Sequence, residues 1–379
     1  MRHIYIENLG PISGMYQMSL EPKLTILIGE QATGKSTIAR TVYYCLTFID
    51  NEISKMCDST ADKHKKHLEA LQLHFRRNYD NGNVLFCENN YEVTLNAKDG
   101  FIPRHNDDIF ATLDGFTGAD AIYIPAGRST IPLLFESYAA AKSIKVDPFF
   151  DQYLLFLDSL RKGSLASMND LLDDALKFSV FPVNEEAVRA SIDIMEQILK
   201  GKYHNKKGDV RIIYDKNESV PLIVASSGQQ EILYILVTLL YVLLNPRDFT
   251  IIIEEPEAHI YPAAQKLFME LIAHVINASD SRVIITTHSP YILTATNLLV
   301  HSAKVENSVN NEKVIVNPLA RLEPSCIGAI LLERNGTFSY QSIIDLESGL
   351  IAAEKIDAVS EIIDKGMTDL INLEVKHGL

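Results

Sequence analysis

Leu24-Thr-Ile-Leu-Ile28 followed by Gly29-Glu30-Gln31-Ala32-Thr33-Gly34-Lys35-Ser36-Thr37 is the stretch from which the rest of the chain can be read. Consecutive apolar and β-branched residues without polar alternation specify a strand buried on both faces, as in a parallel sheet covered by helices. The residues after it spell G-x-x-x-x-G-K-[ST], and a strand before that motif with a helix after it is the context in which it cradles phosphate. Loop N–H groups and the helix N-terminus point at phosphate oxygens, and glycine lets the chain approach closely. Gly29 to Thr37 is therefore read as the phosphate loop. Lys35 would reach the β- and γ-phosphates, and the Ser36 hydroxyl would complete a Mg²⁺ shell.

Three downstream segments have the composition of partners for such a loop. Phe249-Thr-Ile-Ile-Ile253 runs into Glu254-Glu255-Pro256-Glu257, which puts carboxylates at the carboxyl end of a buried strand, where α/β proteins bind ligands. Glu254 would hold Mg²⁺ through water, and Glu255 would orient and deprotonate an attacking water. Taken alone, the segment reads more readily as a solvated strand-end turn; paired with the phosphate loop, the preference reverses. Ser226-Ser227-Gly228-Gln229-Gln230 stands before a long apolar run and reads as a helix N-cap, which is also compatible with anion recognition. Thr286-Thr287-His288-Ser289-Pro290 ends another apolar strand, predicted to lie beside the Glu254 strand, and so brings His288 near the same phosphates.

In this order the motifs resemble those of the ATP-binding-cassette ATPases of the SMC, RecF and OLD group. The closer resemblance is to OLD-like ATPases, carried by Glu254-Glu255-Pro256-Glu257-Ala258-His259. The resemblance is good over residues 1–50 and 220–300 and poor between them. It implies an α/β fold: an ABC-type P-loop ATPase head, a mixed sheet flanked by helices, with a mainly helical insertion. It also implies a head-to-tail homodimer, or a higher oligomer, that sandwiches ATP and Mg²⁺ between subunits. Each nucleotide would lie on Gly29 to Thr37 of one subunit and be capped in trans by Ser227, Gly228 and Gln230 of the other. Glu255 would be the general base, His288 the γ-phosphate sensor, and Ser36 with Glu254 the metal ligands. The chain departs from the pattern at Ala32 and Gln229, which replace glycines, and at Glu254, which replaces an aspartate. Gln72 is a weak candidate for the glutamine such ATPases carry in a separate loop.

Composition limits the remaining readings. The chain has 379 residues, 47% of them hydrophobic, and 35 Lys plus Arg against 49 Asp plus Glu, for a net charge of −14. That balance argues against charge-driven coating of nucleic acid or membrane. Cys45, Cys57, Cys87 and Cys326 lack metal-ligand spacing and suggest a reduced, cytoplasmic protein. Ile232 to Leu244 is too short to cross a bilayer and is predicted as a buried helix. The expected organisation is a head of residues 1–50 and 205–345, an insertion at 51–204 made of a hairpin and helices, and an acidic helical tail at 346–379. The tail leaves no room for the nuclease domain of OLD enzymes, so no nuclease activity is expected in this chain.

The resemblance to ATPase subunits of anti-phage systems such as PARIS and Septu implies a sensor or scaffold that controls a separate effector, a nuclease. A RecF- or SMC-like DNA-repair ATPase is the alternative, and the nucleotide subunit of a transporter fits poorly. Lys55 to Arg77 carries six Lys/Arg, three Asp/Glu and three His. This is either a solvated helix face or a contact for nucleic acid or an acidic partner. The loop Gly201-Lys-Tyr-His-Asn-Lys-Lys-Gly208 adds lysines. Arg128 could reach a phosphate or form a structural ion pair.

Overall fold

Strand β3 (Leu24–Gly29) is buried along its length because it lies inside a six-stranded sheet with neighbours on both sides. The sheet order is β13 (Thr337–Ser342), β12 (Ile327–Asn335), β3, β11 (Arg282–Thr287), β10 (Phe249–Glu254) and β6 (Asp120–Ile124). All of its pairings are parallel except the β12–β13 hairpin, so it is a mixed sheet with one antiparallel edge. The computed structural model describes residues 2–56, 61–88, 91–101, 120–136, 146–162, 167–206, 208–215, 218–306, 316–353, 365–368 and 370.

The pleat sends alternate side chains to opposite faces and so builds two apolar layers. Leu24, Ile26, Ile28, Ile251, Ile253, Val283 and Ile285 face one core. Helices α6 (Glu185–Leu199), α7 (Ser227–Leu244), α8 (Pro262–Ala278) and α9 (Pro290–Glu306) supply a large part of the rest of that core. Leu27, Ile252 and Ile284 face the other, against α1 (Lys35–Met56) and α2 (Ala61–Asn78). A second, antiparallel sheet closes that side, in the order β2 (Met15–Ser19), β1 (Arg2–Glu7), β4 (Asn83–Glu88), β5 (Tyr91–Asn96). Helix α7 is long and apolar enough to cross a bilayer, but 67% of it is buried inside the protein, as its all-round apolar surface requires.

Residues 51–204 do more than insert a hairpin and helices. Their hairpin β4–β5 pairs with β1 of the second sheet, and β6 forms one edge of the central sheet. Helices α3 (Ile131–Glu136), α4 (Pro148–Lys162) and α5 (Met168–Phe178) complete the described part of this stretch with α6. The expected lysine loop 201–208 is instead largely strand β7 (Lys202–Lys206), which pairs with β8 (Asp209–Asp215) and through it with β9 (Glu218–Pro221). Alternating burial of Tyr203 and Asn205 overrides the turn-like composition. Most of the expected tail helix lies outside the described residues; within it, Lys365–Thr368 and Leu370 are helical.

Strands β3, β6, β10 and β11 run parallel. Their carboxyl ends therefore share one edge of the sheet, and the phosphate loop, the Glu254–Glu257 segment, His288 and the turn that carries Arg128 all follow from it.

Candidate functional site

The phosphate loop is held by its own backbone. Lys35 Nζ donates to Gly29 O and Glu30 O, each at 2.7 Å, and Thr33 Oγ1 donates to Glu30 O at 2.9 Å. A Cβ on Gly29 would collide with the Leu332 carbonyl of β12, which explains the glycine where the strand ends. Gly34 has φ +101, and a Cβ there would press on Ile12. Ala32 sits at φ 61, a left-handed conformation that costs a non-glycine residue roughly 1–2 kcal/mol. Glu30, Gln31, Ala32 and Ser36 are exposed, whereas Thr33, Gly34, Lys35 and Thr37 are buried. Burial lowers the Lys35 pKa to about 8, opposed by the charges of Glu255, Glu257 and Glu254. All three carboxylates therefore act on the loop lysine.

Those carboxylates follow β10, whose Glu254 pairs in register with Thr286 of β11. Glu255 lies at φ 43, also left-handed. Its N–H donates to Thr286 O at 2.9 Å, and its side chain stands 3.3 Å from His288 Nε2 through Oε1. Both side chains are partly open to solvent, at 40% and 32%. Glu257 Oε1 accepts the His288 N–H at 2.7 Å and so orients the start of the following turn. The expectation that His288 lies beside the Glu254 strand agrees with this geometry.

Glu254 is buried, and its Oε2 receives the Ala126 N–H at 3.4 Å, while Oε1 has no hydrogen-bond partner. A buried carboxylate oxygen without a donor suits a cation or a cation-bound water. Among the described residues no three or more His, Cys, Asp or Glu side chains converge on a metal position. Mg²⁺ at phosphates needs only one or two protein ligands, so Ser36 and Glu254 fit it.

Ser226 caps α7: its hydroxyl accepts the Gln229 N–H at 3.3 Å, and the Gln229 side chain returns to Ser226 N at 3.2 Å, a capping box. Ser227 is exposed at the first helical position. Gly228 is required within its own chain, since a Cβ there would stand 2.5 Å from His259 O. Gln230 Nε2 donates to Leu222 O, Ile223 O and Ala225 O, fastening the preceding turn. Both residues therefore have local structural work in addition to any trans contact. Gln229, the departure from a glycine, also donates to Leu199 O at 2.8 Å.

Arg128, left between two readings by the sequence, forms an ion pair. It is fully buried, and its Nε lies 3.3 Å from Glu231 Oε2. Burial lowers its pKa, and the Glu231 charge opposes that shift. Glu231 and Glu257 were missed as site residues. Glu231 had a signal: a lone acid heading a helix that is apolar on all sides must find a buried partner. Gln72, the weak candidate for a site glutamine, donates through its Nε2 to Tyr44 OH at 3.3 Å inside the α1–α2 packing. On α2, Lys65, Lys66, Arg76 and Arg77 are exposed, while His67 bonds Tyr43 OH at 3.0 Å and His74 faces Asp147 at 3.9 Å. The side chains of Lys55 and Lys63 lie outside the described residues.

No curated protein matches the chain by sequence. Among solved structures, an SMC head bound to the C-terminal winged-helix domain of ScpA is 12% identical, covers 91% of this chain and 97% of its own, and gives a TM-score of 0.47. The SMC head domain of Thermotoga maritima is 10% identical, with 90% and 98% covered and a TM-score of 0.40. An SMC head from Pyrococcus furiosus with an extended coiled coil, bound to the C-terminal domain of ScpA, is 11% identical, with 96% and 100% covered and a TM-score of 0.44. Likenesses of this degree leave function unassigned. Residues 24–294, a span that holds the phosphate loop, Arg128, the α7 start, the β10 carboxylates and His288, match the family described as "AAA domain, putative AbiEii toxin, Type IV TA system", and the chain belongs to that family.

Proposed function

We propose that the protein binds and hydrolyses ATP with Mg²⁺, dimerises around the nucleotide, and controls a separate effector through that cycle. The observation that carries this reading is the 3.3 Å approach of the Glu255 carboxylate to His288 at the ends of β10 and β11, of which β11 adjoins the phosphate-loop strand β3. Lys35 would exchange the carbonyls of Gly29 and Glu30 for β- and γ-phosphate oxygens, and the α1 N-terminus would add its amide dipoles. Glu255 would take the proton from the attacking water, with His288 beside it to receive the γ-phosphate. Mg²⁺, held by Ser36 and Glu254, would neutralise phosphate charge.

Trans capping rests on Ser227, whose exposed position at the head of α7 leaves its hydroxyl available to a partner's nucleotide. The ATPase head would comprise residues 1–50 and 205–345 together with the strands that 51–204 adds to its sheets. The family description names a system, which supports a chain acting with a second component. A DNA-maintenance ATPase is the second reading, favoured by exposed Lys65, Lys66, Arg76 and Arg77 along one helix. Co-purification of a nuclease favours the first; DNA-stimulated turnover, lost when those four residues are neutralised, favours the second.

The shared site is tested by mixing Ser227→Ala protein with Lys35→Ala protein. One composite site of the heterodimer keeps both groups, so the mixture should hydrolyse ATP faster than either variant alone. A mixture that forms heterodimers without gaining activity would rule out trans capping.

A further inference from the structure

Arg128 ties together three points of the chain that the reaction needs in register. Its Nη1 donates to Pro125 O at 2.6 Å and Glu254 O at 2.7 Å, and its Nη2 donates to Glu255 O at 2.9 Å. Its Nε donates to Glu231 O at 3.2 Å and faces the Glu231 carboxylate. That carboxylate in turn accepts the N–H groups of Arg128 at 3.1 Å and Ser129 at 3.0 Å. Glu231 lies on α7, four residues and so about one turn after Ser227.

A buried ion pair is weak grounds for a purely stabilising role, since an apolar pair of the same shape often serves as well. What an apolar pair cannot do is hold the carbonyls of two consecutive residues, Glu254 and Glu255, from one planar fork. Glu255 is in a left-handed conformation at φ 43, and such a backbone persists only where its surroundings over-determine it. Here the restraints are the Thr286 carbonyl on its N–H, and the guanidinium together with the Ala258 N–H on its own carbonyl.

We propose that Arg128 is a positioning residue for hydrolysis: it fixes the Glu255 backbone to helix α7 through Glu231, so that the carboxylate and the capping end of α7 form one rigid unit. The proposal rests on the ATPase reading given above. It makes the placement of Glu255 depend on α7, the element that meets the partner subunit's nucleotide in that reading.

The test uses the full chain with Arg128→Lys and Glu231→Gln. Lysine keeps the charge but loses the fork; glutamine removes the charge and keeps an acceptor for only one of the Arg128 and Ser129 amides. If Arg128→Lys does not fold, Glu231→Gln carries the test. The expected result is a kcat lower by roughly 10–100-fold, the scale of a small misplacement of a reacting group, with ATP affinity held within about twofold. Amide exchange at 254–258 should rise in Glu231→Gln, although the substitution is on another element. In a Glu255→Gln background neither substitution should slow turnover further, because the group it positions is already gone.

Unchanged kcat, a loss expressed only in ATP binding, or unaltered exchange at 254–258 would overturn the proposal. If the unsubstituted protein does not turn over ATP, the hydrolysis reading falls by itself, and the exchange experiment alone decides whether Arg128 couples Glu255 to α7.

Discussion

The phosphate loop and the strand-end cluster face each other across one edge of the sheet, but they are built in opposite ways. Every partner that holds Lys35 and Thr33 lies within six residues, in the loop's own backbone. The cluster around Glu255 is assembled from four separate segments: Pro125 to Ser129, Glu231, Glu254 to Glu257, and Thr286 to His288. Arg128 and Glu231 are 103 positions apart. A short run of residues is enough to specify the first geometry, whereas the second exists only once the sheet and α7 are packed. In the proposed cycle the loop would bind through its local geometry, and the cluster would make chemistry conditional on the packing of the sheet and α7.

That contrast can be broken first at Lys35. Lys35→Ala should lower nucleotide affinity by roughly 2–5 kcal/mol, the cost of removing one member of a desolvated charge pair, and leave the fold intact. Titration with a fluorescent ATP analogue, alongside a melting curve, measures both. Unaltered affinity would mean that the loop does not bind through its lysine.

A smaller effect follows from the Lys35 pKa of about 8. Phosphate would restore the lysine's ordinary basicity. Below pH 8 the side chain is charged with or without nucleotide, and affinity should not change on its account. Above about 8 the free loop loses its proton while the bound loop keeps it, so affinity should fall by about tenfold per pH unit. Calorimetry in buffers of different ionisation enthalpy should register proton uptake above pH 8 and none at pH 7. The same shift has a sign for stability. The unfolded chain binds more protons between about 8 and 10.5, so the unliganded protein should gain stability as pH rises through that window.

The smallest effect is expected at Ala32. Ala32→Gly relieves a left-handed alanine at φ 61 but loosens the unfolded chain, and these terms nearly offset. Stability should change by less than about 1 kcal/mol in chemical denaturation. A larger loss would show that the Ala32 methyl makes a contact the loop depends on.

The same contrast explains what the sequence made legible. Leu24 to Ile28, Phe249 to Ile253 and Val283 to Thr287 are apolar runs bounded by turn or polar residues, so their burial in a parallel sheet could be read directly. The phosphate loop and the acidic strand end were legible for the same reason, since residue type and spacing carry them. Not legible was the share that 51–204 takes in the head, because strand pairing between β4 and β1 or β6 and β10 leaves no local mark. The α7 start was read as a cap, and the structure makes it one, with Ser226 as the capping residue and Gly228 set by its approach to His259. The lysine-rich loop became β7 because pairing with β8 outweighs local composition. Glu231 escaped notice because a single acid at the head of an apolar helix looks like part of a polar first turn until its partner is seen.

The most direct test of the central claim is phosphate release by Glu255→Gln beside the unsubstituted protein, at saturating ATP and Mg²⁺. The amide keeps the shape of the side chain but cannot take a proton, so nucleotide should still bind while turnover falls by about 10²–10⁴-fold, the range for a lost general base. Normal turnover by Glu255→Gln would contradict the account, since the carboxylate beside His288 would then not be the base.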